Sequence, residues 1–187
     1  MGFIRQFDLL VALVAGLIWL GIVAFLRLKK KKSWAYLLLF TVFFAYLAKV
    51  LDYTLFQFQS LLLLKHFMPG LMLNGLPSAK SLNLIPLVTL RLRDLKTSLL
   101  NVLLMIPFGF MLPLIAADFR MKKTVIVGAL FSVIIELLQL ITGLLAKTTF
   151  RIADINDVIF NTIGVAAGYV LLIGLMRAFR RFGIINP

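Results

Sequence analysis

The sequence predicts an all-α protein, a bundle of about five transmembrane helices with one long, partly membrane-embedded outer loop between helices two and three. Of its 187 residues, 62% are hydrophobic and 14% are charged. A soluble globular domain is about half apolar and about a quarter charged. Apolar runs of roughly 20 residues recur along the chain, and a helix of about that length crosses the hydrocarbon core of a bilayer. We therefore expect one membrane domain over residues 1–187.

Composition also limits the chemistry of the chain. It has no cysteine and one histidine, His66, so the usual ligands of a zinc site are missing. We predict neither a resident metal nor a cofactor. The formal net charge is +13, but the basic residues separate apolar runs. That placement is typical of membrane orientation and of contact with anionic lipid headgroups. Membrane lipids are therefore the expected partners, and nucleic acid is not.

The first predicted span covers residues 7–26 and is followed by the basic run RLKKKK. A signal peptide has a shorter apolar core and a small-residue cleavage site, so we expect an uncleaved helix. Basic loops stay in the cytoplasm, which places the amino terminus outside. The second span, residues 34–56, carries Lys49 and Asp52 on one helix face. Lys49 lies about 22 Å from the inner end, in the outer half of the bilayer.

The segment after the second span is apolar and interrupted by turn signals. The sequence QFQSLLLL (57–64) predicts either an interfacial helix or the extension of a tilted span. Met-Pro-Gly and Asn-Gly breaks follow within residues 65–96. A solvated loop would be less apolar, so we expect this loop to dip into the outer leaflet and cover the site beneath it. Backbone at that depth must be buried in protein or line a wet cavity.

Three further spans are predicted at residues 99–116, 124–145 and 155–175. The short inner loops and the carboxyl tail carry five, three and three Lys or Arg residues, which places the carboxyl terminus in the cytoplasm. Gly164 and Gly168 form a small-residue face, which we interpret as helix packing. This face permits dimerisation without requiring it, so the oligomeric state stays open.

Polar residues cluster at one depth. The stretch from Glu136 to Gly168 holds three of the seven acidic residues of the chain, and charges inside apolar runs are functional candidates by default. Other spans place polar groups in the same outer half. We therefore predict one outward-facing ligand-binding site. Its expected residues are Lys49, Asp52, Asn83, Asn101, Glu136, Gln139, Arg151, Asp154, Asp157 and Asn161.

Several of these residues also have a structural interpretation, whereas Glu136 is the hardest to explain in that way. Lys49 and Asp52 are spaced as an ion pair that fixes helix register. Asp154 is placed to cap the fifth helix. It is also spaced i, i+3, i+7 with Asp157 and Asn161, as on one helix face. Asn101 and Asn161 are also residues of the kind that form interhelical hydrogen bonds in membrane bundles.

Five stretches carry a family resemblance: SLNLIP (81–86), NVLLMIPFGFMLP (101–113), IIELLQL (134–140), FRIADINDVIFNTIG (150–164) and GY (168–169). Together they resemble the VanZ-like family, which is named for a protein that gives resistance to the glycopeptide teicoplanin. The resemblance covers roughly residues 81–170. It implies a small polytopic protein of the bacterial plasma membrane that lowers susceptibility to glycopeptides, especially lipidated ones.

Two functions of different classes remain open. In the first, the protein binds a lipid-linked ligand, either a lipoglycopeptide or a cell-wall precursor, without chemistry. In the second, it is a membrane enzyme acting on a lipid-anchored envelope substrate. The catalytic candidates are then Glu136 as general acid or base and Asp154 with Asp157 as holders of a divalent cation. A proton- or ion-coupled transporter is less favoured, because no internal repeat is present.

Overall fold

The computed structural model describes residues 2–67, 82–83, 85–86, 92–116, 118–146 and 153–184. Its helices are α1 (Gly2–Leu28), α2 (Trp34–Phe67), α3 (Leu92–Ile115), α4 (Met121–Ala146) and α5 (Ile155–Arg181). Two strands of two residues each, β1 (Leu82–Asn83) and β2 (Ala153–Asp154), complete the described elements. The predicted all-α class and the five helices are confirmed.

Four of these helices contain stretches that are long and apolar enough to cross a membrane. The stretches are Trp34–Asp52, Leu95–Ile115, Met121–Ile141 and Ile155–Arg181. In α1 the apolar stretch is Ala12–Leu28 among the residues whose side chains the structure describes. The chain is therefore a multi-pass membrane protein.

The helices extend beyond the spans that hydropathy predicts. Residues 57–64 belong to α2, which continues without a break for 34 residues. Its length is about 51 Å, so α2 is longer than the hydrocarbon core of about 30 Å. α3 begins at Leu92, seven residues before the predicted position 99. The added turns, LRDLKTS, contain charges but no helix breaker. The apolar stretch therefore begins later along the chain than the helix does.

The described residues form two compact units. The first comprises α1 and α2 together with residues 142–146. In it, Trp19 Nε1 donates a hydrogen bond to Thr41 Oγ1 over 3.1 Å, and Thr41 in turn donates to the carbonyl of Leu37 over 2.8 Å. Trp19 and Thr41 stand at similar distances from the turn at residues 29–33, so α1 and α2 form an antiparallel hairpin.

The second unit contains β1, α3, α4 up to Ile141, β2 and α5. Its main contact is between α3 and α5, which run parallel. A Cβ atom added at Gly164 would touch the backbone of Val102, and one added at Gly168 would touch the backbone of Ile106. Because the contact advances by four residues on both helices, the two backbones meet directly along one seam. The packing interpretation of this glycine face is confirmed.

α4 packs against the same seam through one face of small and polar residues. Phe131 of α4 stacks on Phe108 of α3, with ring centroids 5.2 Å apart. The buried residues of this face recur every three or four positions, as expected for one side of a helix. They are the small or polar residues Thr124, Gly128, Ser132, Glu136 and Gln139, together with Ile135. α4 therefore turns its polar residues toward α3 and α5 rather than toward lipid.

The glycine seam leads to a prediction about stability. Gly164→Ala and Gly168→Ala should each lower the free energy of unfolding by about 1–3 kcal/mol, because the new Cβ meets backbone that cannot rotate away. Gly174 lies on the same helix with nothing within 4 Å of an added Cβ. Gly174→Ala should leave stability unchanged or raise it, since alanine is the better helix former. Thermal unfolding in detergent measures all three, and equal effects would contradict the seam.

Candidate functional site

A short pair of strands connects the loop between α2 and α3 to the start of α5. β1 and β2 pair in parallel, with Leu82 opposite Ala153 and Asn83 opposite Asp154. The sequence predicts a loop here and no strand. The rest of the proposed cover over the site, including residues 68–81 and 87–91, lies outside the described residues.

Asp154 is the N-cap of α5. Its backbone is extended, with φ −118° and ψ 121°, and its side chain accepts a hydrogen bond from the amide of Asn156 over 2.8 Å. The same oxygen, Oδ1, accepts from Asn83 Nδ2 over 2.9 Å. The cap interpretation is confirmed. Asp154 thus directly precedes the first helical residue, Ile155, and Asp157 lies in the first turn of α5.

Glu136 is the second carboxylate at this place. It is buried, with 8% of its surface exposed, and its Oε2 accepts a hydrogen bond from the backbone amide of Asp154 over 3.1 Å. A mid-helix carboxylate is thus matched with a backbone donor at the start of another helix. We call the four residues Asn83, Glu136, Asp154 and Asn156 the polar clasp. The clasp connects β1, α4 and α5.

Two asparagines beside the α3–α5 seam form what we call the amide pair, Asn101 and Asn161. Asn161 Nδ2 donates to Ser132 Oγ over 2.7 Å, which confirms an interhelical hydrogen bond. Asn161 Oδ1 and Asn101 Nδ2 are buried and have no hydrogen-bond partner among the described residues. Asn101 directly precedes Val102, and Asn161 lies one helical turn before Gly164 on the same buried face. Because Val102 and Gly164 touch, the two amides lie at neighbouring levels.

Two buried residues of the site were not in the predicted set. Ser132 is completely buried and holds Asn161, and Asn156 is 3% exposed and belongs to the clasp. Ser132 precedes Glu136 by four positions, which places both on one helix face. That spacing was available in the sequence. A serine in an apolar helix is nevertheless a weak signal, because its small side chain is equally common in packing.

The remaining predicted site residues have different positions. Gln139 is buried one turn after the clasp glutamate, and Asp157 lies half-buried in the first turn of α5. Lys49 and Asp52 belong to the first unit and form an ion pair over 2.7 Å, with side chains 83% and 44% exposed. Their predicted pairing is confirmed, whereas a ligand-binding role stays a prediction. Arg151 lies outside the described residues.

The described contacts within the clasp and the amide pair are hydrogen bonds. Among the described residues there is no group of three or more His, Cys, Asp or Glu side chains that could hold a metal ion. In the hydrogen bonds described above, the carboxylates of Glu136 and Asp154 accept from N–H groups of the chain itself. Within the part of the chain that the structure describes, one amide donor, Asn101 Nδ2, and one amide acceptor, Asn161 Oδ1, are buried without a hydrogen-bond partner.

The polar clasp predicts how far substitutions at Asp154 lower the free energy of unfolding. Asp154→Ala removes a helix cap, which should lower the stability by about 1 kcal/mol. It also leaves Asn83 without its acceptor, which should lower the stability by about 1 kcal/mol more. Asp154→Asn should cost less, because a carboxamide oxygen can still accept both hydrogen bonds. Hydrogen exchange of the amides at 153–157 should rise strongly in the alanine variant. The exposed Asp118→Ala is the control, and an equal effect at both aspartates would refute the clasp.

Comparison with known proteins gives a family assignment. The family model described as VanZ/LLP1 matches residues 50–177, which include the whole second unit up to the last turns of α5 and the end of α2. No curated protein and no solved structure matches the chain. Because the family model covers more than half of the sequence, and because the polar clasp and the amide pair lie inside the match, the chain belongs to the VanZ/LLP1 family.

Proposed function

We propose that this VanZ/LLP1 protein is an envelope protein of the bacterial plasma membrane that lowers susceptibility to glycopeptide and lipoglycopeptide antibiotics. It does so by binding a lipid-linked ligand, either the drug or a cell-wall precursor, at the end of α3, α4 and α5 that carries the polar clasp. On the predicted topology, this end faces the outer leaflet. Family membership supports the class of protein, and the site supports binding.

The amide pair is the observation that carries the proposal. In a bilayer core no water is at hand to satisfy a buried polar group, and each unsatisfied group is costly. Asn101 Nδ2 is a donor and Asn161 Oδ1 an acceptor, and neither has a partner among the described residues. A hydroxyl or amide group of a ligand accepts from the first and donates to the second. Glycans and peptides of the envelope and of glycopeptide drugs are rich in both groups.

The carboxylates support binding over catalysis. Glu136 and Asp154 accept hydrogen bonds from backbone and side-chain N–H groups that hold β1 and α5 in place. A general base has to accept a proton from a substrate or from water within hydrogen-bond distance. The described bonds instead orient these carboxylates toward the protein. The enzyme alternative is therefore retained only as an outcome of the experiment below.

Binding of teicoplanin to the purified protein in nanodiscs tests the proposal. Asn101→Leu and Asn161→Leu should each weaken binding by about tenfold, the loss expected for one hydrogen bond of about 1.4 kcal/mol. Thr162→Val is the matched control. Thr162 neighbours Asn161, but its hydroxyl is already bonded to the carbonyl of Val158 over 2.7 Å. This variant should bind as the wild type does. Drug susceptibility of cells with equal expression should follow the same order.

Glu136→Gln separates binding from catalysis. A glutamine oxygen still accepts from the Asp154 amide, so this variant should keep both binding and resistance. If resistance is lost and the wild type chemically alters teicoplanin or a lipid-linked cell-wall precursor, the protein is an enzyme and the binding proposal is wrong. Full activity of both asparagine variants, with no retained drug, would also contradict the proposal.

A further inference from the structure

A cluster of positive charge lies in the first unit, at the turn between α1 and α2. Residues 27–33, which we call the basic turn, carry five cations in the sequence RLKKKKS, and every residue of the turn is exposed. The turn is tight. Lys31 adopts a positive φ of 50°, and the Ser33 hydroxyl accepts from the amide of Tyr36 over 3.3 Å, which caps α2.

Two of the five cations are held in place by aromatic rings. The Arg27 guanidinium lies over the ring of Trp34, 4.8 Å from its centroid, and Arg27 Nη1 also donates to the carbonyl of Lys32 over 3.0 Å. The Lys32 ammonium lies 4.5 Å from the ring centroid of Tyr36. Such contacts are attractive even at exposed sites. They make the turn an ordered group of charges rather than a set of independent side chains.

No acidic residue stands near the basic turn in the sequence. The nearest are Asp8, 19 positions before Arg27, and Asp52, 20 positions after Lys32. Asp52 is already paired with Lys49. The two intervals correspond to about 28 and about 30 Å of helix, roughly the thickness of the hydrocarbon core. The charge of the turn is therefore not neutralised by its own hairpin, and it is exposed to external anions.

The aromatic residues indicate the depth at which this anion is met. Tryptophan and tyrosine are enriched at the level of the lipid headgroups, and Trp34 and Tyr36 begin the membrane-spanning stretch of α2. The lysines next to them consequently stand at the height of lipid phosphates. Clusters of Lys and Arg at this position attract anionic lipids, and each charge contributes additively.

We infer that the basic turn is a binding site for anionic phospholipid headgroups. Lys29, Lys30 and Lys31 contact the lipid phosphate directly, while the ring-held Arg27 and Lys32 keep the turn in its binding shape. This site is distinct from the polar clasp and the amide pair, and it does not depend on the proposed function.

The experiment compares two sets of substitutions that remove the same charge. The first is the triple variant Lys29→Gln, Lys30→Gln and Lys31→Gln. The second removes the three arginines at the end of α5, Arg177→Gln, Arg180→Gln and Arg181→Gln. Native mass spectrometry of the full chain counts retained phosphatidylglycerol against phosphatidylcholine. Titration with phosphatidylglycerol in detergent then gives the apparent dissociation constants.

The lysine triple variant should bind phosphatidylglycerol about 10- to 100-fold more weakly than the wild type. The arginine triple variant should stay within about threefold. A third variant, Trp34→Leu with Tyr36→Leu, keeps every charge and should lose several-fold, because the turn is no longer ordered. Equal losses in both triple variants would mean attraction by net charge alone and would overturn the inference. Absence of any preference for phosphatidylglycerol over phosphatidylcholine would overturn it as well.

Discussion

The hydrogen bond from the Asp154 amide to the Glu136 carboxylate is the contact on which the second unit depends. A carboxylate in the middle of an apolar helix and an unpaired amide at the start of another are each costly in lipid. Placed together, they satisfy each other and determine the level at which α5 begins beside α4. Asn83 then has a fixed partner in Asp154. Glu136 and Asp154, which are 18 positions apart, thus position β1, a segment far upstream in the chain.

Features governed by neighbouring residues could be predicted from the sequence. The cap at Asp154, the pairing of Lys49 with Asp52, the packing role of the glycine face and four of the five membrane spans follow from local spacing and hydropathy. The partner of Glu136 could not be predicted, because it depends on how α4 and α5 are placed. The same is true of the two-residue pairing of Asn83 with Asp154. Such a short strand has no periodicity to recognise.

The charged and the neutral groups of the candidate site differ in their hydrogen bonding. The clasp carboxylates, which are the most expensive groups to leave without partners, are used to hold the protein together. The buried side-chain groups that lack a hydrogen-bond partner among the described residues belong to neutral amides, Asn101 and Asn161. An unsatisfied amide costs far less than an unsatisfied charge. On the proposed function, recognition through amides costs the empty site less free energy in lipid than recognition through unpaired charges would.

The direct contact of α3 with α5 has a consequence for biosynthesis. α4 stands between these two helices in the chain, so during translation α3 enters the membrane well before its partner has been made. The surface around Val102 and Ile106, shaped to receive glycine backbone, must remain against lipid or the insertion machinery until α5 arrives. Since Asp154 arrives with α5, the seam and the clasp close in the same late step. A nascent chain that stops after α4 therefore contains neither the glycine seam nor the polar clasp.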